Sequence, residues 1–368
     1  MKTIAKKWMA SLKRYETGKP IGEVARELGF ASADEIIKLA SNENSLGPSP
    51  LAIKAMKKSA RDMHRYPDSG AFYLRKALAS KLQVQPEQIM IANGSNEIIE
   101  FIGHVFLAPG SEAVIADRAF AIFRLIAEMF EARPVIVPMR NFTHDLKAML
   151  SAVTPRTRVV FVANPNNPTG TMVDAGELHD FINKIPPHVV VVLDEAYIEL
   201  LPPAKQPDTL RHVREGKKII VLRTFSKTYG LAGLRIGYAV APREGIELMA
   251  QIRQPFNVNA MALEAALAAL GDDAFVEKTR RMVNEGLHYF GEKLTKLGIE
   301  FVPSVTNFML VKVGNGRKVF EEMQKERVIV RPMDGYGLPE YVRISVGKRL
   351  ENKLCLKALQ HVLAKSLS

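Results

Sequence analysis

Lys227 is the residue whose type and surroundings point most directly to chemistry. It lies between Ser226 and Thr228, and Arg235 follows eight residues later. The strand-like run 218–223 precedes it, so Lys227 should lie beyond the carboxyl end of a buried strand, where open α/β sheets bind ligands. A lysine amine forms a Schiff base with an aldehyde, and hydroxyls with an arginine can hold a phosphate. This segment alone is equally compatible with a covalent site for an anionic aldehyde cofactor and with a solvated surface lysine.

Three further polar motifs follow predicted strands, at the edge where a shared site would form. Asn167 lies in the Asn-, Pro- and Gly-rich turn 164–170, which by itself favours a purely structural turn. Asp194 directly follows the aliphatic run 189–193. A buried acid there is costly without a cationic partner, which indicates a functional site, but Asp194 could instead simply cap a helix. Ser95 begins an apolar helix, whose free N–H groups favour either a bound phosphate or a simple capping box.

Alternating strands and helices predict the scaffold that positions these residues. The strand candidates are continuous β-branched runs, typical of strands buried on both faces: 113–116, 134–137, 159–163, 189–193, 219–222 and 238–240. Helical patterns lie between them, for example over 123–130 and 177–185. We therefore expect an α/β fold with a mostly parallel sheet flanked by helices.

The pattern changes after residue 259. An alanine-rich helix over 260–270 leads into a long amphipathic helix over 273–297, and shorter strands and a terminal helix follow at 308–311, 341–345 and 351–364. We expect a large domain over 46–259 and a smaller α+β domain, formed by 260–368 together with an N-terminal arm over 1–45.

Composition limits the class of protein. With 47% hydrophobic residues in a chain of 368, the sequence is that of an ordinary soluble protein, and no apolar run reaches the length of a membrane span. The one cysteine, Cys355, and the absence of a secretory signal predict a reducing, cytoplasmic setting. The net charge of +12 is scattered and interleaved with acids, which argues against nucleic acid and suits small phosphorylated partners.

The order of the polar side chains on successive strand ends resembles the fold-type I pyridoxal-phosphate aminotransferases: Asn167, Asp194, Tyr197 and Lys227. The resemblance covers nearly the whole chain, and the two ends of the chain point to one subfamily. Residues 15–29 and 39–44 are similar to the start of the histidinol-phosphate aminotransferases, and 328–333 and 341–347 are similar to their substrate-binding end. The chain departs from that pattern at Ser45-Leu46, where a Pro-aromatic pair is usual. It departs again at Phe120, where many members have tyrosine.

The resemblance implies a role for each matched residue. Lys227 would form the Schiff base with pyridoxal 5′-phosphate and shuttle the substrate proton, and Asp194 would keep the pyridine nitrogen protonated. Tyr197 and Asn167 would bond the phenolic oxygen of the cofactor, and Phe120 would stack on its ring. The cofactor phosphate would be held by Ser95, Asn96, Thr224, Ser226 and Arg235, with Tyr66 reaching it from a partner subunit.

The same resemblance implies the substrates and the assembly. Arg343 would bind the α-carboxylate of glutamate or 2-oxoglutarate in one half-reaction. With Arg331 and Tyr15 it would bind the phosphate group of L-histidinol phosphate in the other. The implied enzyme is a homodimeric transaminase of L-histidine biosynthesis, because each site needs Tyr66 of a second subunit.

Other classes fit the sequence less well. Gly230, Gly233 and Gly237 have the wrong spacing for the G-x-G-x-x-G dinucleotide fingerprint. Residues 23–36 read like the helix-turn-helix of a DNA-binding regulator, but the segment before Asn42 is too short for an independent module. The eight histidines lack metal-ligand spacing, so no metal is expected. Within the same fold, an aromatic-amino-acid aminotransferase and a phosphothreonine decarboxylase stay open as alternatives.

Overall fold

The computed structural model describes residues 1, 4–10, 12, 18 and 20–367. Its helices are α1 (Ile21–Leu28), α2 (Pro50–Ser59), α3 (Phe72–Leu82), α4 (Ser95–Phe106), α5 (Ala121–Met129), α6 (Leu146–Ser151), α7 (Ala175–Lys184), α8 (Leu210–Arg214), α9 (Arg243–Ala250), α10 (Ala260–Leu270), α11 (Asp273–Lys296), α12 (Gly316–Lys325) and α13 (Arg349–Leu367). Its strands are β1 (Ile37–Lys38), β2 (Ile89–Ala92), β3 (Glu112–Ala116), β4 (Arg133–Val137), β5 (Thr157–Ala163), β6 (Val190–Asp194), β7 (Ile219–Thr224), β8 (Gly237–Val240), β9 (Phe301–Val302), β10 (Phe308–Lys312), β11 (Val328–Ile329), β12 (Arg331–Pro332) and β13 (Tyr341–Ser345).

A seven-stranded sheet forms the centre of the fold, in the order β2-β8-β7-β6-β5-β3-β4. Strands β4, β3, β5, β6 and β7 run parallel, and β8 is antiparallel to both of its neighbours. Every residue of β3, β6 and β7 is buried, as expected for β-branched runs covered by helices on both faces. The predicted α/β fold with a mostly parallel sheet is therefore confirmed.

The large apolar core extends past the end of the sheet into α10. Ala262, Ala265 and Ala269 are fully buried in the same cluster as the central strands, and α10 packs against α2 and α3. Small side chains on this face let the helices approach closely. The division of the chain at residues 45 and 259 stays a prediction, and this packing supports a later boundary, within α11.

A second, smaller core lies around an antiparallel sheet in the order β12-β13-β10-β9, covered by α12 and α13. The N-terminal arm joins this part of the molecule, because β1 pairs in parallel with β11 through Ile37 and Val328. Two-residue strands such as β1 and β11 are too short to show a period of two, so the sequence did not reveal them. None of the helices that the structure describes is long and apolar enough to cross a bilayer.

Candidate active site

The carboxyl ends of three neighbouring parallel strands bring the predicted catalytic residues to one edge of the sheet. Asp194 is the last residue of β6, which lies between β5 and β7. Asn167 and Lys227 lie in the loops that follow β5 and β7. Since parallel strands end at the same edge, the three side chains face one crevice, the usual ligand position in open α/β sheets.

Lys227 is a half-buried amine above the ring of a buried tyrosine. Its Nζ lies 5.7 Å from the centre of the Tyr197 ring. Burial lowers the pKa of Lys227 to about 8, and the positive charge of Arg343 acts in the same direction. The amine is thus partly neutral near neutral pH, as a nucleophile that attacks an aldehyde must be.

Asp194 is a buried carboxyl whose charge is only partly compensated by the protein. Burial raises the pKa of Asp194 to about 6, although the amide of Ala196, 3.1 Å from Oδ1, and the charge of Lys227 oppose the rise. The Ala196 contact is a local turn bond rather than the cap of an α-helix, the alternative considered from the sequence. A buried carboxylate in this position is stabilised by a cationic partner, such as the protonated ring nitrogen of a ligand.

The start of α4 and Arg235 form an anion cradle that two glycines keep open. Gly94, with φ of +82°, precedes α4, and a Cβ at Gly94 would lie 2.7 Å from Arg235 Nη2. A Cβ at Gly237 would lie 2.7 Å from the amide nitrogen of Ser95, the first residue of α4. Because these positions lack side chains, the helix amides and the guanidinium stay close together, an arrangement that favours phosphate.

The two hydroxyls predicted to join this cradle lie beside each other. Thr224 ends β7, and its Oγ1 donates to Ser226 Oγ at 3.0 Å and accepts from the Ser226 amide at 3.1 Å. Asn96 lies exposed in the first turn of α4. That Thr224, Ser226 and Asn96 contact a phosphate directly stays a prediction.

Two arginines lie directly opposite each other on neighbouring antiparallel strands. Arg331 of β12 and Arg343 of β13 are cross-strand partners. Arg343 is buried, and it donates to Asn167 Oδ1 at 2.5 Å and to the carbonyl of Ala40 at 2.9 Å. Like charges in such a pair repel, so an anion placed between them would be strongly favoured. The predicted phosphate and carboxylate site thus has the right charges beside Asn167.

The loop 42–44 contributes site residues to which the sequence analysis gave no role. The side-chain amide of Asn42 donates to the Tyr197 hydroxyl oxygen at 2.9 Å. Asn44 donates to the carbonyl of Thr228, next to Lys227, at 3.0 Å. This loop is far in sequence from Tyr197 and Thr228. The signals in the sequence were a group of polar residues in a turn and the similarity of residues 39–44 to the aminotransferases, and neither indicated these contacts. Their contacts depend on how the arm crosses the sheet edge.

The remaining predicted residues occupy the rim of the site or lie elsewhere. Phe120 is half-buried and meets Phe123 edge-on at 5.7 Å between ring centres. Tyr66 is 82% exposed and stacks on Phe256 at 4.7 Å. Tyr15 lies outside the described residues, but a Cβ at Gly18 would lie 3.5 Å from Arg331 Nη1, so the arm passes beside that arginine.

The donor set fits a phosphorylated aldehyde with a basic ring nitrogen. The cradle at Ser95 and Arg235 would hold the phosphate, the amine of Lys227 would meet the aldehyde, and Asp194 would meet the ring nitrogen. The glycines at 94 and 237 leave room for the phosphate at the helix end. Pyridoxal 5′-phosphate has all three of these groups.

Comparisons with known proteins agree with this chemistry. The model of the family "Aminotransferase class I and II" matches residues 34–362. A histidinol-phosphate aminotransferase of Akkermansia muciniphila is 47% identical over 99% of both chains, and one of Moorella thermoacetica is 46% identical over 96% of this chain and 92% of its own. The crystal structure of the Sinorhizobium meliloti histidinol-phosphate aminotransferase, in complex with pyridoxal 5′-phosphate, superimposes with a TM-score of 0.89 at 27% identity, covering 100% of this chain and 99% of its own. The chain therefore belongs to the class I and II aminotransferases and, within them, to the histidinol-phosphate aminotransferase family.

Proposed function

We propose that this enzyme transfers the amino group of L-histidinol phosphate to 2-oxoglutarate, giving imidazole acetol phosphate and L-glutamate in L-histidine biosynthesis. The observation that carries the proposal is the cross-strand pair of Arg331 and Arg343 beside the lysine site. A planar guanidinium suits phosphate and carboxylate alike, so Arg343 can serve both half-reactions, and Arg331 joins it in the one that binds the phosphate group. Relatives named histidinol-phosphate aminotransferase match nearly the whole chain.

The cofactor is pyridoxal 5′-phosphate, which supplies an electron sink for the carbanion that forms at the substrate α-carbon. Ser95, Asn96, Thr224, Ser226 and Arg235 hold its phosphate. Asp194 keeps the proton on its ring nitrogen through a charge-assisted hydrogen bond. Phe120 covers the ring, and Asn167 and Tyr197 hydrogen-bond the phenolic oxygen.

Lys227 is the general base and acid of the reaction. Its amine, with a pKa lowered to about 8 by burial, would take the proton from the substrate α-carbon and deliver it to the C4′ carbon of the cofactor. Arg343 orients the carboxylate or the phosphate so that this proton faces the amine. Arg331 and Tyr15 complete the phosphate site for the larger substrate.

The enzyme works as a cytoplasmic homodimer in this proposal. The exposed Tyr66 stacks on Phe256, and Phe72 and Tyr73 nearby in sequence are also more than half exposed. Exposed aromatic side chains in this number are typical of a surface that a partner covers. The second subunit places its Tyr66 on the cofactor phosphate of the first.

Single-turnover kinetics test the choice of substrate. We expect kcat/KM to be higher for histidinol phosphate than for phenylalanine and tyrosine. Losing one charged hydrogen bond in Arg331→Gln should lower kcat/KM for histidinol phosphate ten- to a hundredfold and change glutamate turnover much less. A preference for the aromatic amino acids would instead assign the enzyme to the aromatic aminotransferases, and loss of carbon dioxide from phosphothreonine would assign it to the decarboxylases.

The role of Lys227 has its own test. Borohydride treatment of the cofactor-loaded enzyme should attach the cofactor to the peptide that contains Lys227, as read by mass spectrometry. Lys227→Ala should abolish turnover. Near-normal turnover of that variant would overturn the assignment of the catalytic base.

A further inference from the structure

Asn42 is a buried polar residue that joins three parts of the molecule. Its side chain is 2% exposed, and its amide nitrogen Nδ2 donates to the Tyr197 hydroxyl oxygen at 2.9 Å. Its backbone N–H donates to Ser345 Oγ of β13 at 2.9 Å, and Ser345 Oγ donates back to Asn42 Oδ1 at 3.2 Å. The backbone carbonyl of Asn42 accepts from Asn307 Nδ2 at 3.0 Å. The arm, the small antiparallel sheet and the catalytic loop after β6 therefore meet at this residue.

The donors and acceptors around Asn42 are all satisfied with the amide nitrogen facing the tyrosine. Ser345 Oγ accepts the backbone N–H of Asn42, so its own hydrogen is available for Asn42 Oδ1. With Oδ1 engaged by the serine, Nδ2 is the end that reaches Tyr197. The left-handed backbone of Asn42, with φ of 54°, is one that asparagine tolerates better than most residues. This conformation points the backbone N–H and the side chain of Asn42 at the same serine.

The direction of this bond determines what the tyrosine hydroxyl does. A phenol has one hydrogen to donate, and because Tyr197 accepts from Asn42, that hydrogen is left for another acceptor. Burial raises the pKa of Tyr197 well above its ordinary value, so the hydrogen stays on the oxygen at neutral pH. The charged or titratable groups that act on Tyr197 are Asp194, Arg343, Tyr336 and Lys227. Arg343 and the protonated form of Lys227 have no acceptor to offer.

We propose that Asn42 is a positioning residue that holds the Tyr197 hydroxyl as a hydrogen-bond donor toward the phenolic oxygen of the cofactor. Ser345 keeps the Asn42 amide in the required orientation. The inference rests on the proposed cofactor and adds a residue that acts through Tyr197 rather than on the substrate. Neither Asn42 nor Ser345 contacts Lys227 in the hydrogen bonds and ring contacts of the described residues.

The same relay connects Tyr197 with the strand that carries a substrate arginine. Arg343 and Ser345 are two residues apart on β13 and therefore point to the same face of the sheet. Arg343 also donates to the carbonyl of Ala40, two residues before Asn42. The segment that carries Asn42 is thus tied to β13 through two separate contacts, one at Ala40 and one at Ser345.

Three substitutions test whether Asn42 orients the Tyr197 hydroxyl or only fills space in the core. Asn42→Asp keeps the size of the side chain but turns the donor into an acceptor, which draws the tyrosine hydrogen away from the cofactor. Asn42→Ala removes the donor and leaves the hydroxyl unoriented. Asn307→Ala is the matched control, because Asn307 is a buried asparagine that binds the backbone carbonyl of Asn42 and not its side chain.

The measurements use the enzyme with pyridoxal 5′-phosphate and no substrate. We expect the dissociation constant for the cofactor to rise about tenfold in Asn42→Asp, less in Asn42→Ala, and little in Asn307→Ala. The pH at which the visible band of the loaded enzyme titrates should rise most in Asn42→Asp, less in Asn42→Ala and little in Asn307→Ala. The reason is that the donated hydrogen bond stabilises the anionic phenolic oxygen, and the substitutions weaken this bond. The melting temperature of the cofactor-free protein reports any loss of fold.

A double-mutant cycle with Tyr197→Phe decides whether the effect passes through the hydroxyl. If it does, Asn42→Ala in the Tyr197→Phe background should change neither the cofactor affinity nor the titration of the band. Additive effects, or a larger effect of Asn42→Ala than of Asn42→Asp, would overturn the proposal. Because no substrate is present, these results do not depend on whether histidinol phosphate is the substrate, and absence of any cofactor binding would overturn the proposed function itself.

Discussion

At the scale of single residues, burial brings the pKa values of the two main ionisable groups of the site closer to neutral pH. Lys227 and Asp194 are both removed from water at the carboxyl ends of buried strands. Burial disfavours the charged form of each, so the pKa of the amine falls to about 8 and that of the carboxyl rises to about 6. Their ordinary values are far apart, and the same physical cause brings them together.

The lowered pKa of Lys227 predicts how fast the cofactor-free protein binds pyridoxal 5′-phosphate. Only the neutral amine attacks the aldehyde, so the rate of reconstitution should rise with pH through about 8. Removing a nearby positive charge in Arg343→Gln should move this midpoint to higher pH, because a cation that disfavours the charged amine is lost. Stopped-flow absorbance at a series of pH values measures both midpoints, and a midpoint that stays near that of free lysine would contradict the prediction.

The raised pKa of Asp194 predicts the stability of the cofactor-free protein. Its pKa is higher folded than unfolded, so the carboxyl is destabilising above about pH 6, and this cost disappears as the pH falls toward its ordinary value of 3.8. Asp194→Asn should therefore stabilise the cofactor-free protein at pH 7.5 by on the order of 2 kcal/mol. The gain should shrink at pH 5, as measured by urea unfolding. A variant that is less stable than the wild type at pH 7.5 would show that Asp194 is well paired without the cofactor.

At the scale of elements, the anion cradle depends on two glycines that let a helix, a strand and an arginine approach closely. Gly94 precedes α4, and Gly237 begins β8, which lies between β2 and β7. A side chain at either position meets the cradle itself. The geometry of the phosphate site is therefore set by the packing of α4 against the sheet as much as by the residues that contact the ligand.

Gly94→Ala tests this dependence against a matched control. Both Gly94 and Gly110 have positive φ, +82° and +84°, but a Cβ at Gly110 meets nothing within 4 Å. Backbone strain should cost each variant about 1–3 kcal/mol of unfolding free energy. Only Gly94→Ala should also raise the dissociation constant for pyridoxal 5′-phosphate, by about tenfold or more, because it displaces Arg235. Equal loss of cofactor affinity in both variants would show that phosphate binding does not depend on the space at Gly94.

The elements themselves were largely predictable, because their sequence patterns have a local cause. The buried strands show continuous β-branched runs, and Gly29 ends α1 in a left-handed conformation with φ of 71°, as a helix-ending glycine should. The two-residue strands β1, β9, β11 and β12 were not predicted, since two residues carry no period, and the four-residue β2 was missed as well. Of these, β12 matters most, because it places Arg331 opposite Arg343.

At the scale of the whole molecule, the site combines the large sheet, the small sheet and the N-terminal arm, and in our proposal it also needs a second chain. The arm is fixed by β1 against β11 and by Asn42 against Ser345 and Tyr197. Arg343 likewise contacts Asn167 and Ala40, which lie far from it in the sequence. Assembly of the site is inseparable from packing of the two cores.

Mixing two inactive variants tests whether Tyr66 acts across the dimer. A chain with Lys227→Ala supplies an intact Tyr66, and a chain with Tyr66→Ala supplies an intact Lys227. After unfolding and refolding together, heterodimers should contain one complete site and recover up to about half the activity of a wild-type dimer, as expected for a residue shared across a twofold interface. Tyr66→Phe, which keeps the stacking on Phe256, is the control for loss of the hydroxyl alone. Failure of the mixture to recover activity, with dimers present by sedimentation, would place Tyr66 in the site of its own chain.

The sequence by itself placed the reactive residues, because they follow strands whose patterns are local, and its resemblance to the aminotransferases implied their chemistry. Lys227, Asp194 and Asn167 were each assigned to a strand end, and parallel strand ends must meet. Only the tertiary structure decided which residues tune that chemistry. The contacts of Asn42 with Tyr197 and of Arg343 with Ala40 join segments distant in the chain, and no local pattern encodes them. Burial has the same origin, since the pKa values of Lys227 and Asp194 depend on everything packed around them.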